Sequence, residues 1–162
     1  HIKLQVISEG GKAYHGGDNV DEYILNKCFD FIEEKANQKR EDLSPENMVE
    51  LICRARESKE RLSGVKAFRI PFTFCIPPFV EQMTREDLEN IINPFIEETR
   101  KLVLKALREV YTGALTPDDI DRVLLEGGSS QMPWVKDMLI GIFNNESKIG
   151  NKWKLYINIT IS

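Results

Sequence analysis

Apolar residues recur along the chain in two rhythms, and the switches between them mark its elements. Ile2, Leu4 and Val6 alternate with polar neighbours, which predicts a strand over 2–7 turned by Gly10-Gly11. After Gly16-Gly17 the spacing lengthens to three and four. Val20, Ile24, Cys28, Phe31 and Ile32 then share a helical face, predicting a helix over 19–37 capped by Asp18. Ser44-Pro45-Glu46 joins a cap, a proline suited to the first helical position and an acid near the positive end of the dipole. The helix it opens is predicted to run to Leu62, with Val49, Ile52, Ala55 and Leu62 inward, until Ser63-Gly64 stops it.

Aromatic and β-branched residues crowd 65–76, interrupted by Pro71 and followed by Pro77-Pro78, which predicts a hairpin or two short edge strands. Thr84 and Asp87 form an analogue of the capping box. They open a helical pattern to Tyr111 that carries Leu88, Ile91, Ile92, Phe95, Leu102, Val103, Ala106 and Val110; Pro94 is predicted to kink or divide it. Thr116-Pro117-Asp118-Asp119 caps a short turn. Val123, Leu124 and Leu125 are a continuous apolar run of the kind found in a strand buried on both faces. Gly127-Gly128 ends it, and from Pro133 a new helix carries Trp134, Val135, Met138, Leu139, Ile142 and Phe143 inward. Trp153, Leu155, Ile157, Ile159 and Ile161 alternate again as a last strand over 153–162. An exposed strand of that kind invites pairing, so a dimer through it is one expected assembly.

Gly-Gly thus precedes a helix twice, at 16–17 and at 127–128. Backbone without side chains can approach a ligand closely, and a helix N-terminus offers N–H groups and partial positive charge to an anion. One Gly-Gly alone is most simply a tight turn. The repetition is what points to chemistry.

Composition narrows the classes. The chain has 162 residues, 41% hydrophobic and 30% charged, a folded composition long enough for one domain or two small subdomains. A net charge of −4 and the lack of a basic stripe argue against a general nucleic-acid binder, while local cations can still serve one nucleotide. Cys28, Cys53 and Cys75 have no metal-type spacing. Two of them fall on apolar faces of predicted helices, so they read as reduced core thiols, in the cytoplasm or another reducing compartment. No run approaches 18 apolar residues and no signal-peptide core is present, so no membrane partner is expected. Asn145-Glu-Ser and Asn158-Ile-Thr match the glycosylation acceptor pattern as chance matches. With only His1 and His15 available, Ser/His/Asp chemistry is a distant option. A start at His1 suggests an N-terminus lying elsewhere.

Three stretches, in order, carry a resemblance. HGGDNVDEYI at 15–24 resembles LGGEDFD, RARESKERLS at 54–63 resembles ERAKRTLS, and MTREDLENIINPFIEETRKLVLKALREV, followed by LTPDDIDRVLLEGGSSQMPWVKDML, resembles a long helix leading to a signature strand and Gly-Gly turn. Together they span about 1–145 and resemble the second lobe of the nucleotide-binding domain of the seventy-kilodalton heat-shock chaperones, the DnaK-like branch of the actin-fold ATPases. The resemblance implies an α/β fold, an actin-like ATPase lobe with a mixed sheet flanked by helices. A smaller α+β outer subdomain would cover 16–95, and an inner one 1–15 with 96–162. It implies ATP or ADP as ligand, with Mg²⁺ only in the complete two-lobed protein, and no metal site or catalytic residue here. By the same resemblance, Gly16 and Gly17 approach the phosphates, Lys59 and Ser63 contact the nucleoside, and Gly127, Gly128 and Ser129 set backbone against ribose and α-phosphate. Lys59 and Ser63, four apart, share a helix face; read without the family, Lys59 is a solvated surface lysine. Implied partners are the missing first lobe, a nucleotide-exchange factor and co-chaperones.

The departures bear on affinity. Gln131 stands where the family stacks an arginine on adenine, and the family's glutamate and arginine fall at Arg56 and Glu60, with both charges reversed. A stacking cation contributes about 0.5–2 kcal/mol, so losing two weakens adenine binding roughly ten- to a thousandfold. The family's two phosphate loops and its closing NPDEAVAYGAA-like helix are absent, the alternating strand standing in place of the latter. Two readings remain: the adenosine-binding part of an ATP-driven folding chaperone, and a pseudo-ATPase or regulatory module with weak or no nucleotide binding.

Overall fold

A computed structural model describes residues 16–111, 113–126, 128–144 and 156–160; at Glu126, Ser129, Gln131 and 156–160 it describes the backbone alone. The strand predicted over 2–7, and Gly127, lie outside the described residues. Helices and strands are mixed, and the chain divides into two compact units, His1–Gly17 with Pro94–Ser162, and Asp18–Asn93.

The second unit is built on helix α1 (Gly17–Ala36), helix α2 (Pro45–Gly64), a hairpin of β1 (Ala67–Phe72) and β2 (Phe79–Thr84), and the start of helix α3 (Arg85–Arg108). Val20, Ile24, Cys28 and Ile32 are buried on α1 as their spacing requires. The helix begins at Gly17, so Asp18 sits in its first turn instead of capping it. At α2 the predicted cap forms: the Asn47 N–H donates to Ser44 Oγ at 3.2 Å. Hydrogen bonds from the Glu46 backbone and Ser44 hold the Glu46 carboxyl below its ordinary range.

The inward face of α2 differs from the predicted one. Val49 is 62% exposed and Ile52 41%, while Leu51, Ala55, Ser58 and Leu62 are buried. Those positions recur at four, three and four, one helical stripe. Ser58 can lie on it because its hydroxyl donates to the Arg54 carbonyl at 2.7 Å, which removes the cost of burying it. Cys53 is exposed, whereas Cys28 and Cys75 are buried.

The hairpin is antiparallel, pairing Ala67 with Thr84 through Phe72 with Phe79. Its second strand lies beyond Pro77-Pro78, where 65–76 had been predicted to hold both. Each strand of a two-stranded sheet keeps an open edge, which accommodates Pro71. Phe72 anchors this region, stacked on Phe79 at 4.6 Å with the Phe31 ring edge-on at 6.4 Å. At the start of α3, the Thr84 N–H and hydroxyl donate to Asp87 Oδ2 at 2.8 and 2.6 Å, and the Asp87 N–H returns to Thr84 Oγ1 at 3.0 Å. Aspartate therefore completes a capping box despite its short side chain. Helix α3 runs undivided through Pro94 and ends at Arg108, three residues short of the predicted Tyr111.

In the first unit, Phe95, Val103 and Leu107 of α3 are buried. A 3-10 turn at Pro117–Asp119, with Thr116 and Asp119 as a reciprocal capping box, leads to β3 (Arg122–Glu126). Val123 is fully buried, and Leu124 and Leu125 are half-buried. A second 3-10 turn at Gly128–Gln131 precedes α4 (Pro133–Phe143), on which all six predicted core residues are buried. The Trp134 ring meets Phe95 edge to face at 5.7 Å, and its indole N–H donates to Met132 Sδ at 3.2 Å. Of the last strand, predicted over 153–162, residues 156–160 are described: β4 (Tyr156–Thr160) pairs in parallel with β3, Arg122 opposite Tyr156 through Glu126 opposite Thr160. A parallel pair needs a crossover connection, and α4 lies within it. No helix among the described residues is long and apolar enough to cross a membrane.

Candidate functional site

The predicted site residues fall on both units, and each set is built differently. In the second unit, α2 carries Arg56, Lys59, Glu60 and Ser63 on successive turns. Lys59 Nζ lies 2.6 Å from Oδ1 of Asp21 on α1, and the two side chains are only 12% and 13% exposed. The contact is a close, shielded ion pair. Arg56 Nε approaches Oδ2 at 3.6 Å with its own side chain 60% exposed. One carboxylate thus faces two cations from adjacent turns of α2. Glu60 is exposed.

Ser63 donates its hydroxyl hydrogen to the Lys59 carbonyl at 2.9 Å, leaving its oxygen as an acceptor. The end of α2 is held from outside the helix. Arg85 Nε donates to the Leu62 carbonyl at 2.9 Å, and its Nη2 to those of Ser63 and Val65 at 3.3 and 3.2 Å. A cation satisfying the orphan carbonyls of a C-terminus also complements its partial negative charge. Sequence reasoning missed Asp21 and Arg85. Asp21 lies in the HGGDNVDEYI stretch, one turn after Gly17, but nothing local names its partners. Arg85 sits 20 to 23 residues from the carbonyls it caps.

In the first unit the elements are backbone. Gly128 opens the turn between β3 and α4. A Cβ added there would meet no atom of the described residues within 4 Å, and its φ lies outside the left-handed region. Among the described residues neither packing nor backbone strain accounts for glycine at this position, and the space a Cβ would fill suits a ligand approaching the backbone. Met132 stands at the N-cap of α4, and its side chain accepts no backbone N–H of the first turn. Gly16 and Gly17 are buried. Ser129 and Gln131 belong to the turn through their backbone; Gly127 is outside the described residues.

Each unit thus carries groups of a kind that polar and anionic ligands use: cations and a hydroxyl acceptor on α2 in the one, an open glycine beside a helix start in the other. Among the described residues there is no His/Cys/Asp/Glu group able to hold a metal. Thiol chemistry is suppressed at the buried cysteines, since burial pushes Cys28 up to about 12 and also raises Cys75.

Comparison with known proteins then adds a lineage. The family model described as Hsp70 protein matches residues 2–151. The protein named Chaperone protein DnaK from Ureaplasma urealyticum serovar 10 (strain ATCC 33699 / Western) is 32% identical over 145 residues, covering 84% of this chain and 23% of that protein. The chain spans less than a quarter of the length of this relative.

Proposed function

The chain belongs to the Hsp70 family, and from that premise we propose that it forms the second lobe of a chaperone's nucleotide-binding domain, contributing adenosine and phosphate contacts to ATP-driven protein folding. Membership implies the actin-like ATPase fold. On this reading residues 16–95 form the outer subdomain and 1–15 with 96–162 the inner one. Lys59 and Ser63 contact the nucleoside, Gly16 and Gly17 approach the phosphates, and the backbone of Gly127, Gly128 and Ser129 faces ribose and α-phosphate. Arg56, Glu60 and Gln131 stand where the adenine grip is altered. Bound nucleotide supplies the phosphoryl group, and Mg²⁺ joins only in the two-lobed protein. The first lobe, an exchange factor and co-chaperones are the partners that such a role requires.

The observation that carries the reading is the strand, glycine turn and helix from Arg122 to Phe143, with Gly128 required by no packing among the described residues. Calorimetric titration with ADP and ATP tests it, in parallel with Gln131→Arg. Binding by the unaltered chain, strengthened by roughly three- to thirtyfold in Gln131→Arg, is the expected result. Binding only after arginine is restored indicates a fold that has dropped its adenine grip. A folded chain that binds in neither form overturns the reading.

A further inference from the structure

Asp21 has no role in the nucleotide contacts proposed above, yet it is the charged group on which two of the pocket-wall residues converge. Lysine and arginine side chains carry much rotamer entropy, so a cation that must meet a ligand gains from being held beforehand. Asp21 supplies that restraint from a different helix. Its Oδ1 takes Lys59 at 2.6 Å and its Oδ2 takes Arg56 at 3.6 Å. The pairing also offsets the repulsion between two cations on adjacent turns of α2, and it gives the reversed charge at Arg56 an anionic partner within the chain. The exposure of the three residues is graded: Asp21 and Lys59 are largely shielded, and Arg56 reaches solvent. Shielding strengthens the pair beyond the near-zero worth of a typical surface salt bridge.

We infer that Asp21 is the positioning residue of the α2 wall: its carboxylate fixes the Lys59 ammonium and steadies Arg56 at the rim, so nucleoside affinity depends on an acid that acts only through its cations. The inference rests on the nucleotide-binding reading. ADP titration of the 162-residue chain tests it in five forms: unaltered, Asp21→Asn, Asp21→Glu, Lys59→Met and the double variant Asp21→Asn/Lys59→Met, each with its melting temperature recorded. Asp21→Asn is expected to weaken ADP binding about tenfold. Asp21→Glu, which keeps the charge, recovers most of that loss, and in the Lys59→Met background the Asn substitution adds less than about twofold. A purely structural role would lower the melting temperature without this dependence on Lys59. Unchanged affinity in Asp21→Asn, or a tenfold loss that persists undiminished beside Lys59→Met, overturns the inference and leaves the nucleotide reading intact. Should Asp21→Asn melt below the titration temperature, Asp21→Glu decides: affinity within about threefold of the unaltered chain supports the inference, and a tenfold loss overturns it. Failure of the unaltered chain to bind ADP overturns the nucleotide reading and this inference with it.

Discussion

The α2 wall and the turn after β3 hold their candidate ligand groups by opposite means. On α2 the groups are side chains, and each is placed by another side chain or carbonyl: Lys59 and Arg56 by Asp21, Ser63 by the Lys59 carbonyl, the helix end by Arg85. After β3 the groups are backbone, placed by the strand before and the helix behind, with Gly128 contributing only the room left by its missing side chain. A side-chain wall can be retuned by single charges. A backbone turn changes only if the elements on either side of it move.

The largest effect expected from breaking this contrast is on the scaffold. Phe72 is fully buried among Phe31, Phe74 and Phe79, so Phe72→Ala should cost about 3–5 kcal/mol by urea unfolding. Val49→Ala, on the exposed side of α2, should stay within about 0.5 kcal/mol. A similar cost for the two would mean that α2 packs through Val49, on the phase its apolar pattern first suggested.

That pattern also shows where the sequence was readable and where it was not. Helix α4 was legible in full because proline marks its start and every apolar residue on the predicted stripe has a buried place. Helix α2 was legible in extent but not in phase. Ser58 is polar yet buried through its bond to Arg54, and Val49 and Ile52 are apolar yet exposed, so hydropathy rotated the face. Strand β2, FVEQMT, was missed because it mixes charge and apolar residues and follows two prolines. Of the candidate site, Lys59 and Ser63 were named through the resemblance carried by RARESKERLS; their spacing of four only placed them on one helix face. Asp21 and Arg85 could not be named, because their partners belong to other elements and pairing across elements leaves no local spacing.

A smaller effect separates local from tertiary restraint. The hydroxyl and backbone of Thr84 hold the Asp87 carboxyl below its ordinary 3.8. A carboxyl lowered on folding contributes stability that is present above the unfolded value and lost as pH falls through the folded one. Thr84→Ala should cost about 1 kcal/mol at pH 7. The part due to Asp87 should persist down to about pH 4 and fade below it, which urea midpoints from pH 7 to 3 would follow. A cost that stays constant through pH 3 would assign the effect to helix propensity alone.

The smallest effect on stability gives the sharpest comparison of the two regions. Gly128→Ala adds a methyl group where no atom of the described residues lies within 4 Å and where the backbone is not left-handed, so unfolding should shift by less than about 0.5 kcal/mol. Nucleotide affinity should nevertheless fall, because the methyl group fills the space through which ribose and phosphate would approach the backbone. The loss should not depend on Asp21: combined with Asp21→Asn, the two effects should add within about 0.5 kcal/mol, as independent sites do. If Gly128→Ala leaves ADP affinity unchanged in calorimetry while Asp21→Asn lowers it, the binding groups lie on α2 alone, and the glycine turn reverts to a connection between β3 and α4.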